Sequence, residues 1–84
     1  MELSERFADA QVRVKGLSSR PSNQDLLALY GLFKQATDGD VSGKKPGMFD
    51  LKGRAKFEAW EGFKGVSSDD AMNRYIALVD KLAG

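Results

Sequence analysis

The chain has 84 residues, no cysteine, no histidine and a net charge of only +1. The lack of these two residue types excludes disulfides, thiolate nucleophiles, Ser–His machinery and the usual zinc ligands. The length suits one small core, so we expect a single domain over residues 1–84. No apolar run reaches the roughly 20 residues of a membrane span, and the charged N-terminus is unlike a signal peptide. We therefore expect a cytoplasmic protein that is not an integral membrane protein.

The first predicted helix covers about residues 3–17, where apolar residues recur every three or four positions. This spacing places one apolar stripe toward the core, made of Leu3, Phe7, Ala10, Val14 and Leu17. Gly16 and the serines after it end the helix, and Pro21 prevents its continuation.

The second predicted helix covers about residues 23–37 and is apolar on more than one side. Ser22 and Asp25 form a capping-box-like start for it. One face carries Leu26, Leu29, Leu32, Phe33 and Ala36, whereas Leu27, Tyr30 and Lys34 lean toward another. Such a helix lies at the centre of a fold, lines a ligand site, or does both.

Residues 38–49 form a long connection with several glycines and one proline, and loops of this length are often functional. Asp50 then caps a third helix over about residues 51–63, whose core stripe we expect to be Leu51, Ala55, Ala59 and Phe63. Ser67 and Asp70 start a fourth helix, with Ser68 taken as a further capping serine. The apolar stripe of this last helix is Met72, Tyr75, Ile76, Val79 and Leu82. The pattern predicts an all-α protein of four helices.

Residues 44–56, the basic segment, carry most of the information about function. The segment places Lys44, Lys45, Lys52, Arg54 and Lys56 against one acid, Asp50, in a chain that is otherwise net acidic. A charge run of this kind is either a solvated face or an anion site. The adjoining glycine-rich loop and helix start favour an anion. Tyr30 and Tyr75, which we expect to be exposed, could add aromatic planes for a nucleotide base.

Other functions have weaker support from the residues. Acid–base catalysis could in principle use Asp38, Asp40 or Glu61. The sequence shows no nucleophile motif and no apolar pocket around a carboxylate, so we expect no catalytic residue and no enzyme. A nucleic-acid binder would need a larger positive surplus and a basic stripe, so we expect no nucleic-acid partner. A helical module that docks an acidic protein through the basic segment remains the main alternative. A binder of free nucleotide or of fatty acid is a third one.

Three long motifs resemble the acyl-CoA-binding protein family: YGLFKQATDGD at 30–40, KPGMFDLKGRAKFEAW at 45–60 and SDDAMNRY at 68–75. The resemblance implies a four-helix up-down-down-up bundle with a long loop between helices 2 and 3. It also implies a non-catalytic carrier or buffer of medium- and long-chain fatty acyl-CoA, without a cofactor or a metal. We expect a monomer that makes transient contact with enzymes that use acyl-CoA.

The resemblance also implies roles for individual residues. Tyr30 matches the residue that packs on the adenine, and Lys34 and Lys56 match the two lysines at the ribose 3′-phosphate. Tyr75 matches a tyrosine at the nucleotide end, and Lys15 matches a lysine near the phosphates or the acyl end. Leu27 would help to form the apolar wall that receives the acyl chain, and Lys52 would border the site. Phe33 is a further predicted contact, at a position where family members often have a tyrosine.

Overall fold

The computed structural model describes residues 1–84, which fold into four α-helices with no strand. The helices are α1 (Leu3–Lys15), α2 (Asn23–Asp38), α3 (Leu51–Glu61) and α4 (Ser68–Ala83). The prediction of an all-α, four-helix protein is confirmed. The first helix ends at Lys15, earlier than predicted, and the third ends at Glu61, where turns replace its expected last residues.

Three of the four helix starts carry the side-chain caps that the sequence predicts. Ser22 Oγ accepts a hydrogen bond from the backbone N–H of Asp25 at 3.1 Å. Ser67 Oγ does the same for α4 at 3.1 Å, and Asp50 Oδ1 accepts from Gly53 N at 3.0 Å. Each cap satisfies a backbone donor that has no partner within its own helix.

The prediction that Ser68 is a further helix cap is wrong. Its hydroxyl donates to the carbonyl oxygen of Ala36 at 2.6 Å, which links the start of α4 to the end of α2. Ser67 alone is enough to cap the helix. A serine side chain next to the cap is therefore free to make this contact between helices.

Contacts between α2 and α3 show that these two helices run parallel. The Lys56 ammonium lies 5.4 Å from the centre of the Tyr30 ring, and farther along both helices the Lys34 ammonium lies 4.8 Å from the Trp60 ring. The residue numbers increase together on the two helices. The long loop between α2 and α3 supplies the crossover that a parallel pair needs.

Contacts of α4 complete the up-down-down-up order. Phe7 packs edge-on against Tyr75, with ring centres 5.1 Å apart, and Arg13 pairs with Asp80 at 2.8 Å, so α1 and α4 run parallel. The Ser68–Ala36 bond joins the start of α4 to the end of α2, so those two helices run antiparallel. The predicted bundle topology is confirmed.

The core lies where α2 and α4 meet. α2 packs against both α3 and α4, and α1 packs against α4. The buried cluster contains Phe7, Ala10, Leu29, Leu32, Ala36, Ala71, Tyr75, Ile76 and Val79. These residues come from α1, α2 and α4. α2 is thus central to the fold, as predicted from the apolar residues on more than one of its faces.

Two burial predictions are wrong. Leu51 is 74% exposed instead of lying in the core, and Trp60 is the buried residue of α3. The reason is that α3 packs on a single helix and so buries only a narrow stripe. Tyr75 is only 5% exposed, because the apolar stripe of α4 faces α1 and α2. Its predicted place on that stripe is confirmed, whereas its expected exposure is wrong.

A polar cluster fixes the end of the bundle where the long loop begins. The buried Gln35 donates from Nε2 to Asp40 Oδ1 at 2.9 Å and to Val66 O at 2.8 Å. Asp40 also accepts from Gly65 N at 2.8 Å, and Trp60 Nε1 donates to Gly39 O at 2.7 Å. The hydrogen bonds from Gly65 and then from Gln35 lower the pKa of Asp40. They also tie the loop start to the turn between α3 and α4.

The backbones of α2 and α3 approach closely at Gly31, and this close approach leads to a prediction about stability. A Cβ at this position would lie 2.6 Å from Ala59 O and 2.9 Å from the Phe63 ring. We expect Gly31→Ala to lower the free energy of unfolding by about 1–3 kcal/mol, because α3 would be pushed away from α2. Urea denaturation followed by circular dichroism measures this.

Gly62→Ala is the matched control. Gly62 has helical backbone angles (φ −63°, ψ −18°), and an added Cβ would meet its nearest neighbours at an ordinary 3.5 Å. We expect this variant to be as stable as the parent or slightly more stable, since alanine loses less entropy on folding. Equal denaturation midpoints for the two alanine variants would contradict the close approach at Gly31.

Candidate functional site

An open groove runs between α2 and α3, and we call it the α2–α3 groove. Its volume is about 430 Å³, and its apolar lining comes from both helices. It is lined by Arg20, Asn23, Leu26, Leu27, Tyr30, Leu51, Lys52, Ala55 and Lys56. Side chains spaced four apart on each helix form the walls, as expected for two helices that lie side by side. The groove thus combines an apolar surface with three cations.

A second cavity, the α1–α2–α4 cleft, lies on the other side of Tyr30. Its volume is about 390 Å³. It is lined by Val14, Lys15, Pro21, Leu26, Leu29, Tyr30, Phe33 and Tyr75. Leu26 and Tyr30 line both cavities, so the two adjoin along one turn of α2.

Tyr30 is the residue at which the two cavities meet. It is half-buried, and the Lys56 ammonium lies 5.4 Å from the centre of its ring. A cation at this distance is attracted to the ring by roughly 0.5–1 kcal/mol at an exposed site. Because Lys56 is itself exposed, its charge is available to an anion beside the tyrosine.

Phe33 on α2 and Tyr75 on α4 give the cleft an aromatic wall. Phe7 stacks on Phe33 with ring centres 6.1 Å apart, and its edge meets Tyr75. Tyr75 lines the cleft while being almost fully buried, and this burial raises the pKa of its hydroxyl. A phenol is protonated at neutral pH, so the Tyr75 hydroxyl can act as a hydrogen-bond donor.

Lys34 lies apart from the other residues that the sequence predicts for the site. Its ammonium pairs with Asp38 one turn later and lies 4.8 Å from the centre of the Trp60 ring. The hydrogen bond that the Lys34 ammonium donates to the Asp38 carboxylate raises the pKa of Lys34. Lys34 lines neither cavity. A phosphate would have to compete with Asp38 for this lysine.

The structure brings the other predicted residues together around Tyr30. Leu27, Lys52 and Lys56 lie in the α2–α3 groove, and Lys15, Phe33 and Tyr75 lie in the α1–α2–α4 cleft. Among the five cations of the basic segment, only Lys52 and Lys56 line either of these two cavities. Lys45 pairs with Glu58 at 3.2 Å instead.

Sequence reasoning missed part of the lining of both cavities. Arg20 gave no signal, since it stands alone in a loop before Pro21. Leu26 could have been found from its place one turn before Tyr30. The helical period predicts that Leu51 and Ala55 lie in the core, although their spacing of four residues fits a groove wall equally well.

The two cavities suit a ligand with an anionic part and an apolar part. An apolar surface beside Lys52 and Lys56 can bury hydrocarbon while a negative group meets the cations. Tyr30 and the aromatic wall of the cleft offer flat surfaces for a planar ring. None of the four helices is both long enough and apolar enough to span a bilayer.

Comparison with known proteins agrees with this geometry. The family model described as acyl CoA binding protein matches residues 4–79. The chain belongs to the acyl-CoA-binding protein family. Acyl-CoA-binding protein homolog 1 of Caenorhabditis elegans is 57% identical over 76 residues, which are 90% of this chain and 88% of that relative. The acyl-CoA-binding protein of Brassica napus is 51% identical over 82 residues, which are 98% of this chain and 89% of that one.

Solved structures of family members have the same fold. Acyl-CoA-Binding Protein 2 of Oryza sativa superposes with a TM-score of 0.92 at 44% identity, over 96% of this chain and 90% of the rice chain. The acyl-CoA-binding protein of Moniliophthora perniciosa gives a TM-score of 0.89 at 32% identity, over 98% of this chain and 80% of that one. The family fold therefore extends over nearly the whole chain.

The contact between Lys34 and Asp38 yields a prediction about titration. Because Asp38 raises the pKa of Lys34, the substitution Asp38→Asn should lower that pKa. NMR titration of the lysine side-chain resonances measures the change. Asp69→Asn removes the same charge from an exposed position that makes no ion pair, and it should leave Lys34 unchanged. Identical Lys34 midpoints in the parent and in Asp38→Asn would contradict the pairing.

Proposed function

We propose that the protein binds medium- and long-chain fatty acyl-CoA thioesters without chemical change and carries or buffers them in the cytosol as a monomer. The observation that supports this most strongly is the pair of cavities that adjoin at Tyr30. One of them offers an apolar wall with cations at its edge, and the other offers aromatic rings. An acyl-CoA has the matching parts, which are a hydrocarbon tail, phosphates and an adenine ring.

In this proposal the nucleotide head binds around Tyr30. The Tyr30 ring packs on the adenine, and Lys56 meets the ribose 3′-phosphate beside it. Tyr75 and Lys15 contact the head from the cleft. Lys34 joins the same phosphate after exchanging its carboxylate partner, Asp38, for the ligand. These assignments draw on the family motifs and on the 5.4 Å distance between Lys56 and the Tyr30 ring.

The acyl chain follows the α2–α3 groove in the same proposal. Leu26 and Leu27 on α2 and Leu51 and Ala55 on α3 supply the apolar lining of the groove. A palmitoyl chain has about 14 methylenes, each worth roughly 0.8 kcal/mol on burial, so complete burial contributes about 11 kcal/mol at most. The groove is open, and the tail gains only part of that. Even half is enough to separate acyl-CoA from free CoA.

Isothermal titration calorimetry with palmitoyl-CoA, CoA and palmitate tests the proposed function. We expect tight binding of palmitoyl-CoA, much weaker binding of CoA and little binding of palmitate, because only the first ligand fills both cavities. Heats that stay flat for all three ligands would exclude a carrier of acyl-CoA. Palmitate binding as tight as that of palmitoyl-CoA would indicate a fatty-acid binder instead.

Lys56→Ala tests the assignment of the 3′-phosphate. A charged hydrogen bond at an exposed site is worth roughly 1.4 kcal/mol, so palmitoyl-CoA should bind about tenfold more weakly. The dephospho analogue lacks the 3′-phosphate, and its affinity should hardly change. Lys81→Ala, on the last turn of α4 and outside both cavities, is the control and should bind both ligands as the parent does. Equal losses for the two ligands in Lys56→Ala would refute the assignment.

A further inference from the structure

The basic segment carries three exposed apolar side chains that neither the fold nor the ligand cavities account for fully. Phe49 is 98% exposed, Met48 is 70% exposed and Leu51 is 74% exposed. We call these three residues the apolar tip. Phe49 and Met48 line neither cavity, whereas Leu51 borders the α2–α3 groove. A small domain has few large apolar residues to spare, so this exposure calls for a function.

Local hydrogen bonds hold the apolar tip in place. The backbone N–H of Asp50 donates to Gly47 O at 3.0 Å, which closes a turn with Met48 and Phe49 at its two corners. The Asp50 side chain also caps α3 through Gly53 N. The two corner side chains are therefore presented to solvent by a defined turn at the start of a helix.

An excess of positive charge flanks the apolar tip in the sequence. Lys44, Lys52 and Arg54 make no ion pair, whereas Lys45 pairs with Glu58. The one acid within the segment, Asp50, is engaged as a helix cap. An exposed aromatic ring within a cluster of cations is the combination that binds an anionic membrane interface.

We propose that the apolar tip docks on the surface of an anionic lipid bilayer. Phe49 and Met48 enter the interface between headgroups and acyl chains, and Lys44 and Lys52 contact the negative headgroups. A bilayer accepts a protruding ring without a preformed pocket. A folded protein partner would have to supply a pocket for Phe49 and acids for several lysines at once. The convex turn and its surrounding cations therefore favour lipid as the occupant.

Docking in this orientation has a consequence for the groove. Leu51 belongs both to the apolar tip and to the lining of the α2–α3 groove. The groove would therefore open next to the bilayer, where acyl chains are dissolved. This consequence rests on the proposed function, because it assumes that the groove takes an acyl chain. Docking itself does not depend on any bound ligand.

Vesicle co-sedimentation with the ligand-free protein tests the docking. We expect binding to vesicles of phosphatidylcholine mixed with phosphatidylserine, weak binding to pure phosphatidylcholine, and a decrease as salt is added. Phe49→Ser should reduce partitioning into the anionic vesicles about tenfold, because the inserted ring is lost. Lys44→Glu should also weaken binding to the anionic vesicles, because it replaces a positive charge near the headgroups with a negative one.

Val12→Ser is the matched control for the aromatic residue. Val12 is 69% exposed on α1 and borders neither cavity, so the substitution also removes an exposed apolar side chain. We expect it to bind vesicles as the parent does. Urea denaturation of each variant checks that folding is unchanged, as the exposure of both positions predicts.

Three results would overturn the docking proposal. The first is that the parent does not bind anionic vesicles. The second is that Phe49→Ser partitions into them as the parent does. The third is that Val12→Ser loses as much vesicle binding as Phe49→Ser. Calorimetry on Phe49→Ser separates this proposal from the proposed function, since palmitoyl-CoA should still bind when no vesicle is present. Normal ligand binding without vesicle binding would refute docking alone. Vesicle binding without ligand binding would refute the carrier function alone.

Discussion

The close approach of α2 and α3 at Gly31 is the contact on which the rest of the site depends. Because Gly31 has no side chain, the backbone of Ala59 can lie directly against α2. This contact sets how the two parallel helices align, and Tyr30 is adjacent to it in the sequence. The same alignment brings Lys56 over the Tyr30 ring and leaves the α2–α3 groove open toward the helix starts. A bulkier residue at Gly31 would alter the groove as well as the stability.

The central position of α2 explains how so small a protein can have both a core and a ligand site. Leu29 and Leu32 on one face of α2 enter the core, while Leu26 and Tyr30 serve as a wall common to two cavities. The cations of the basic segment are divided in a similar way. Lys52 and Lys56 line the groove, whereas Lys45 forms an ion pair with Glu58 and lines neither cavity. One charge cluster thus contains members with different roles.

Local features of the structure could be predicted from the sequence, because helical periodicity and capping depend on residues within one or two turns. Ser22, Asp50 and Ser67 cap their helices as expected. The helix directions came from the family resemblance, since periodicity does not encode them. The exposure of Leu51 could not be predicted, because it depends on which helices pack against α3. The partner of Lys34 depends on side-chain competition that a motif does not describe.

The central claim is that one ligand lies across both cavities with Tyr30 at the junction. Intermolecular NOEs between the protein and palmitoyl-CoA test this claim most directly. The account predicts NOEs from the acyl methylenes to Leu27 and Ala55 in the α2–α3 groove, and from the adenine protons to the rings of Tyr30 and Tyr75. Acyl NOEs confined to the cleft side, or adenine NOEs to the outer face of α1 near Val12, would contradict it.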